Sequence, residues 1–370
     1  MRRVWLQLHL WLGIGLAILL VPVSLSGAAL VWHDHLDMLI HPGRYAATAD
    51  ASLPPSQLVQ RAASALDPGF QIVAVRMPES EGRPAMVTAR EPRRGEAGGR
   101  PRILTVALDP PTGRVLDVFE FRNSLVGVLH RFHENLTVPE YSGRAIVGWS
   151  GVAMLALSLT GLYLWWPRNA GFRRGLRWRR GPTLSLNLHH LFGFWISLPL
   201  AVVSATGIYL GFPQQARSML TSVAPMTPQQ RGAFAAPLMR QTQLDADRAA
   251  AIAAGAITGS QVAAVFMPTQ QTQLWRVQLR DPQSDALSTV MVEDGSGALR
   301  VVTPLTGDRV ASWIRWIHEG SHSGLLWQML VFACGLLPTL FTATGVLIWL
   351  RSRDARRRQS EFPAVPAAAE

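Results

Sequence analysis

The sequence predicts an α-helical membrane protein with four transmembrane helices, an internal two-fold parallel repeat and two α+β domains outside the bilayer. Three observations predict this class: four long apolar stretches, arginine clustered at their flanks, and matching motifs in the two halves. The 370 residues are 48% hydrophobic and only 16% charged, whereas a soluble domain averages about 25% charged residues. This composition excludes a disordered chain, and the single cysteine excludes a disulfide-stapled secreted domain.

Four apolar stretches are long enough to cross a bilayer, which takes about 20 residues of helix. None carries Asp, Glu or Arg in its central part, so buried helices of a large soluble core explain them poorly. They are residues 4–32, 145–166, 188–212 and 325–350. The first is longer than the ~7–15 residues of a signal-peptide core, which predicts an uncleaved anchor.

The placement of arginine predicts the topology. All 35 basic residues are Arg, which excludes Schiff-base chemistry and a P-loop lysine. Residues 1–3, 167–187 and 351–370 hold 13 Arg and three acids, and so carry +10 of the net charge of +11. Because basic residues in short flanks stay cytoplasmic, we expect both termini inside and both long loops outside. The excess charge then indicates topology and contact with anionic membrane lipid, not nucleic acid.

These assignments divide the chain into eight segments. The transmembrane helices are residues 1–32, 145–166, 188–212 and 325–350, the outer domains residues 33–144 and 213–324, and the cytoplasmic segments residues 167–187 and 351–370. Each outer domain is predicted as one helix (56–66; 245–256) followed by four strands (71–76, 85–89, 103–108, 115–121; 262–266, 274–279, 289–292, 299–302). Residues 91–102, rich in Arg, Gly and Pro, predict a flexible hairpin tip.

The two halves of the chain resemble each other. Residues 6–13 match 186–193, 26–27 match 206–207, 131–134 match 316–319, and 160–161 match 344–345. Each half is therefore a span, an outer α+β domain and a second span. Since both halves run in the same direction, a pseudo-twofold axis along the membrane normal is expected.

Four of the ten histidines occupy equivalent places in the two halves. His9 and His189 lie near the cytoplasmic ends of the first and third spans, and His133 and His318 shortly before the second and fourth. Histidine is costly inside lipid and usually faces a functional interior. Twofold packing would bring each pair together, to supply two axial nitrogens to one haem iron. Hydrogen-bonded or interfacial histidines are the alternative. Without a Cys-x-x-Cys-His motif, any haem is noncovalent.

Neighbouring residues leave the outer ligands open. His130 is spaced i,i+3 from His133, and His322 i,i+4 from His318, so either could be the ligand or could contact a propionate or the substrate. Glycines within the spans predict close helix approach or room for a porphyrin face; they are Gly161, Gly207 and Gly345. For His33, His35 and His41 we expect solvated residues at a helix exit rather than a metal site.

These motifs together resemble the PepSY-associated transmembrane family. The resemblance is carried by residues 8–13, 188–193, 143–144 with 160–168, and 317–320 with 344–345 and Trp349, while residues 109–113 and 294–295 resemble turns of its PepSY modules. It implies a bacterial inner-membrane protein, often iron-regulated, with periplasmic PepSY-like domains. Some members are ferric-siderophore reductases that carry haem. The family's recurring His positions fall on His9, His189, His133 and His318.

The resemblance implies a haem-containing reductase that passes electrons across the membrane to a periplasmic ferric siderophore and releases Fe(II). One or two noncovalent b-type haems are expected. Some relatives carry a fused flavin and nicotinamide module, and this chain ends at Glu370, so we expect a separate electron donor. Because His9 to Trp32 spans about 35 Å of helix, the haems must lie inward of the span ends or use an intermediate.

Two alternatives belong to other classes. The outer domains could bind a peptide, a protease or a transporter partner by strand addition, with the spans as anchors only. A transporter of the iron chelate is the third interpretation, against which stand the lack of intramembrane acids and the small number of spans. The sequence does not indicate the oligomeric state.

Overall fold

The computed structural model describes residues 1–91, 101–167, 173, 176–179, 181–228 and 236–361. Most of the predicted hairpin tip at 91–102, and parts of the segments 167–187 and 351–370, lie outside these residues. The chain forms two compact units. We call Met1–His33, Val128–Pro225 and Thr306–Glu370 the membrane unit, and Asp34–Gly127 and Met226–Leu305 the sheet unit.

The helices and strands follow in chain order. The α-helices are α1 (Arg2–Gly15), α2 (Ala17–Val31), α3 (His33–Ile40), α4 (Pro55–Ser64), α5 (Leu125–Asn135), α6 (Gly143–Trp165), α7 (Leu184–Gly211), α8 (Pro213–Val223), α9 (Ala246–Ala256), α10 (Thr306–Glu319) and α11 (Gly324–Glu361). The strands are β1 (Gln71–Arg76), β2 (Ala85–Arg90), β3 (Ile103–Leu108), β4 (Val115–Phe119), β5 (Gln261–Phe266), β6 (Leu274–Arg280), β7 (Leu287–Glu293) and β8 (Leu299–Val302).

Three helices of the membrane unit are each long and apolar enough to cross a bilayer. Among the described residues these are Gly143–Trp165, Leu184–Gly211 and Gly324–Ala355. The predicted second and third spans lie within four residues of these bounds. Helix α11, which contains the predicted fourth span, continues to Glu361, whereas that span is predicted to end at residue 350.

The predicted first span, residues 4–32, is not one continuous helix. It consists of α1 and α2, which meet at Leu16 with a bend of 69° and together would make a fourth, broken span. Gly13 and Gly15 directly precede the break, and glycine weakens a helix by about 1 kcal/mol relative to alanine. The hydropathy of the stretch shows only that it is apolar, so hydropathy alone did not predict the bend.

Glycines let the helices of the membrane unit approach closely. A Cβ on Gly335 of α11 would lie 2.7 Å from Ala28 Cβ of α2, and a Cβ on Gly211 of α7 would lie 2.7 Å from Gly148 Cα of α6. Lipid tails are as apolar as the helices, so close packing of this kind is a main source of helix association.

The sheet unit contains one antiparallel sheet of eight strands, in the order β4-β3-β2-β1-β5-β6-β7-β8. The two outer segments were predicted as separate domains, but they meet where β1 pairs with β5, with Val75 opposite Val265. Each four-stranded half would otherwise expose the backbone groups of that edge strand, and pairing the two edges satisfies them. All eight predicted strands and both predicted helices are present, within two residues at each end.

One face of the sheet packs against α4 and α9. Its core consists of alternate strand residues, among them Val75, Val265, Val277 and Leu279, all with no exposed surface. Alternation with period two places these side chains together on one face. The helices contribute small or aliphatic residues such as Leu58 and Ala249.

Equivalent buried carboxylates fix the last turn in each half of the sheet. Asp109 accepts hydrogen bonds from Thr48 N at 2.6 Å and Thr112 Oγ1 at 2.5 Å. Asp294 accepts from Gln243 N at 2.7 Å and from Trp275 Nε1 at 2.8 Å. Burial alone would raise the pKa of both carboxyls, but the hydrogen bonds outweigh it and the pKa of each lies below its usual value.

We predict that Leu279→Ala destabilises the sheet by about 2–5 kcal/mol, because it removes fully buried methyl groups and leaves a cavity. Leu299→Ala, at a 46% exposed position of β8, should change stability by no more than about 0.5 kcal/mol. Hydrogen exchange of the full chain in detergent measures both. Faster exchange of the β6 and β7 amides is expected only for Leu279→Ala, and equal exchange in the two variants would contradict this packing.

Candidate functional site

The membrane unit brings His9 of α1 and His189 of α7 together. Their ring centroids lie 6.3 Å apart and their planes differ by 79°. His9 Nδ1 lies 2.9 Å from Thr160 Oγ1 of α6, and His189 Nδ1 lies 2.9 Å from Thr344 Oγ1 of α11. Each threonine hydroxyl donates its own proton to a helix carbonyl, at 2.6 and 2.7 Å. It therefore accepts from the ring, which assigns the imidazole proton to Nδ1.

His133 of α5 and His318 of α10 form a second pair, with ring centroids 6.2 Å apart and planes at 41°. His133 Nδ1 donates to the Val23 carbonyl of α2 at 2.9 Å, and His318 Nδ1 donates to the Val203 carbonyl of α7 at 3.0 Å. A carbonyl oxygen can only accept, so the proton is again on Nδ1. In both pairs the lone pair of Nε2 is left available, which is the arrangement of a metal-binding histidine with an oriented second nitrogen.

Each of the four rings lies close to a glycine. A Cβ on Gly27 would come 2.7 Å from His133 Cε1, and one on Gly207 would come 2.9 Å from His318 Cε1. The corresponding distances are 3.2 Å from Gly161 to His9 Cε1 and 3.7 Å from Gly345 to His189 Cε1. The rings of the second pair thus occupy space that a larger side chain would fill.

Burial sets the protonation of the second pair. It lowers the pKa of His133 and, together with the neighbouring His133 charge, lowers the pKa of His318 to about 4. Both imidazoles are therefore neutral near pH 7, and neutral imidazole is the form that binds a metal ion.

The other candidate histidines lie outside the two pairs. His130 is exposed, with Nδ1 3.9 Å from Glu134 Oε2. His322 is also exposed, and its ring stacks on Trp316 with centroids 4.6 Å apart. The structure thus pairs His133 with His318 and not with these neighbours. His33 Nδ1 bonds the Leu30 carbonyl, and no cluster of three metal-donor side chains occurs within the described part of the chain.

The sequence did not predict the groups that hold the rings. Thr160 and Thr344 were found as part of the repeat, but as spacing marks and not as hydrogen-bond acceptors. The Val23 and Val203 carbonyls leave no signal in side-chain identity. The threonines do leave a signal: Thr160 and Thr344 each directly precede a glycine that faces a histidine.

The two pairs fit the haem that the resemblance implies. With iron–nitrogen bonds of about 2.0 Å and ring atoms about 1.2 Å from the ring centre, two imidazoles on opposite sides of one iron have centroids roughly 6.3 Å apart. The observed separations are 6.3 and 6.2 Å. Two buried polar atoms that lie two and three residues after His133 and His318, Asn135 Oδ1 and Ser321 Oγ, also have no hydrogen-bond partner within the residues described. Such atoms are available to polar groups of a cofactor.

An apolar cluster occupies the stretch of α7 between the two pairs. Ile196, Leu200 and Cys334 form its buried centre, with Met154, Val203, Leu337 and Phe341 packed around it. The helical rise from His189 to Val203, the anchor of His318, is about 21 Å. His189 and the Val203 carbonyl that anchors His318 therefore both lie inward of the ends of α7.

The family model described as PepSY-associated TM region matches residues 6–352. The chain belongs to the PepSY-associated transmembrane family. The resemblance drawn from the sequence motifs is confirmed, and both histidine pairs lie within the matched residues. This membrane-protein family membership agrees with the three long apolar helices. The comparison with curated proteins finds no match.

We predict that Gly207→Ala lowers the haem content of the purified protein, because the added methyl would displace the His318 ring. Gly193→Ala is the matched control, since it lies on the same helix and a Cβ there meets no atom within 4 Å. Alanine favours a helix over glycine, so neither change should unfold α7. The pyridine haemochrome assay should give about half the wild-type haem-to-protein ratio for Gly207→Ala. Full haem content in that variant would contradict the assignment.

Proposed function

We propose that this protein is an inner-membrane reductase of ferric siderophores. It holds one noncovalent b-type haem at each histidine pair, passes electrons across the membrane and reduces a periplasmic ferric chelate. The observation that carries the proposal is that four imidazoles form two pairs, His9 with His189 and His133 with His318. In each pair both Nδ1 atoms are anchored, both Nε2 atoms are available, and the ring centroids lie 6.2 to 6.3 Å apart.

The residues of the chain have distinct tasks in this function. A haem bound there would supply one-electron transfer. Thr160, Thr344 and the two valine carbonyls hold the ring proton on Nδ1, so that Nε2 of each ring would be the nitrogen available to the haem. The apolar cluster around Leu200 keeps water from the region between the pairs. At the substrate, Fe(III) gains one electron to become Fe(II), which hard oxygen chelators hold far less tightly.

Charge placement supports the direction of transfer. The Arg-rich flanks favour an orientation with both termini in the cytoplasm. In that orientation the His9–His189 pair is on the cytoplasmic side and receives electrons from a separate donor. The His133–His318 pair is then toward the periplasm, with residues 34–127 and 226–305 outside. The matching ring contacts of the two halves support an internal two-fold repeat.

Partner binding without redox activity is the rival interpretation. The outer strands β4 and β8 leave one free edge each, and Leu299 and Val301 of β8 are exposed. Strand addition there would suit a peptide partner. It offers no reason for four imidazoles in the membrane unit to be anchored in pairs, so the reductase is the better supported function.

Single histidine variants test the proposed ligands. The purified protein should show a Soret band, and His189→Ala or His318→Ala should each lose about half of the haem because one axial ligand is missing. His190→Ala and His322→Ala are the neighbouring controls and should keep the full content. The absence of a Soret band in the wild-type protein would contradict the proposal. A Soret band of equal intensity in wild type, His189→Ala and His318→Ala would also contradict it.

Transfer across the membrane needs a vectorial assay. Proteoliposomes with reductant sealed inside and ferric citrate plus a coloured Fe(II) chelator outside should develop colour. His9→Ala and His133→Ala should each reduce the rate at least about tenfold, since either loss interrupts the path, while His130→Ala should not. Equal rates in His9→Ala and wild type would contradict transmembrane electron transfer.

A further inference from the structure

The second face of the eight-stranded sheet carries an unusual group of side chains. Phe266 of β5 is opposite Ala74 of β1 and Arg276 of β6. Ala264, two residues earlier, is opposite Arg76 of β1. Cross-strand partners share a face, so Arg76, Arg276 and Phe266 lie together on the face away from Val75 and Val265. Strand β5, with Ala264 and Phe266 on this face, lies between the two arginine positions.

Arg276 has no counter-charge within the residues that the structure describes. Its Cζ lies 3.8 Å from the Phe266 ring centroid, and its Nε is buried without a hydrogen-bond partner. Burial and the positive charge of Arg76 together lower the pKa of Arg276. A buried donor without a partner and two like charges side by side are both costly.

Arg280, unlike Arg276, has partners for its guanidinium. It lies on the same strand and face as Arg276, but it forms an ion pair with Asp285 at 3.0 Å and donates to the Glu79 carbonyl at 3.3 Å. An arginine on this face can therefore be paired, whereas Arg276 Nε has no hydrogen-bond partner within the described residues.

We propose that Arg76 and Arg276, with Arg276 over the ring of Phe266, bind a polycarboxylate anion on this second face of the sheet. The planar guanidinium fork matches a carboxylate through two parallel hydrogen bonds. Two such forks, on β1 and β6 with β5 between them, suit a ligand with at least two carboxylates. The Phe266 ring, whose centroid lies 3.8 Å from the Arg276 Cζ, restricts the motion of the guanidinium and so reduces the entropy lost on binding.

This anion would be the ligand shell of the ferric chelate, a step that rests on the proposed function. Binding of the anion itself does not depend on haem. The substrate class would then be carboxylate siderophores and ferric citrate rather than neutral hydroxamates.

Calorimetric titration of the full chain in detergent with citrate tests the site. Arg276→Gln and Arg76→Gln should each weaken binding by about tenfold or more, because each loses a charge-assisted bidentate contact. The matched control Arg280→Gln should change the affinity less than about twofold, since that side chain is already paired. An unchanged Soret band in Arg276→Gln would show that the fold is intact.

Three results of the titration would overturn the proposal: no saturable citrate binding, equal weakening by Arg280→Gln, or tighter binding of inorganic phosphate than of citrate. Binding confined to phosphatidylglycerol vesicles, with no response to citrate, would assign the face to lipid headgroups and also overturn it. His318→Ala should keep its citrate affinity. Failure of the haem assignment and failure of this site are therefore separate results.

Discussion

The constraint on which this structure depends is that a buried imidazole must satisfy its N–H. In all four paired histidines a carbonyl or a threonine oxygen accepts the Nδ1 proton, which leaves both Nε2 atoms of each pair as acceptors. Two acceptors cannot hydrogen-bond to each other, so neither pair is self-sufficient. A shared electron-pair acceptor such as iron satisfies both nitrogens at once. Burial also lowers the pKa of His318 and keeps its imidazole neutral, and the neutral imidazole is the form that can donate an electron pair to a metal ion.

Helix packing supplies the positions that this constraint needs. Each ring lies on a glycine, where the absence of a side chain brings the imidazole against the helix backbone. Because the first apolar stretch bends at Leu16, its two helices contact different histidine pairs. α1 carries His9, while α2 supplies the Val23 carbonyl and Gly27 to His133.

Much of this arrangement is predictable from sequence, and what is not has physical reasons. The strands follow from alternation, and the four histidines follow from the repeat, because both signals lie in side-chain identity. The bend at Leu16 does not, since hydropathy measures only the apolar character of a stretch. Pairing of β1 with β5 depends on two edges from distant parts of the chain. Arg276 is one of 35 arginines in the sequence, and only the register of β5 and β6 distinguishes it.

Each histidine is anchored within its own half of the chain but is paired with a histidine of the other half. His9 is anchored by Thr160 and His133 by Val23, all in the first half, while His189 and His318 are anchored by Thr344 and Val203 in the second. Each pair, however, takes one ring from each half. A single half could orient its imidazoles but would contribute only one ring to each pair. The same holds for the sheet, where the β1 edge of one half is satisfied only by the β5 edge of the other. Both the histidine pairs and the sheet therefore need residues from both halves of the chain, so a change that separates the halves should abolish both together.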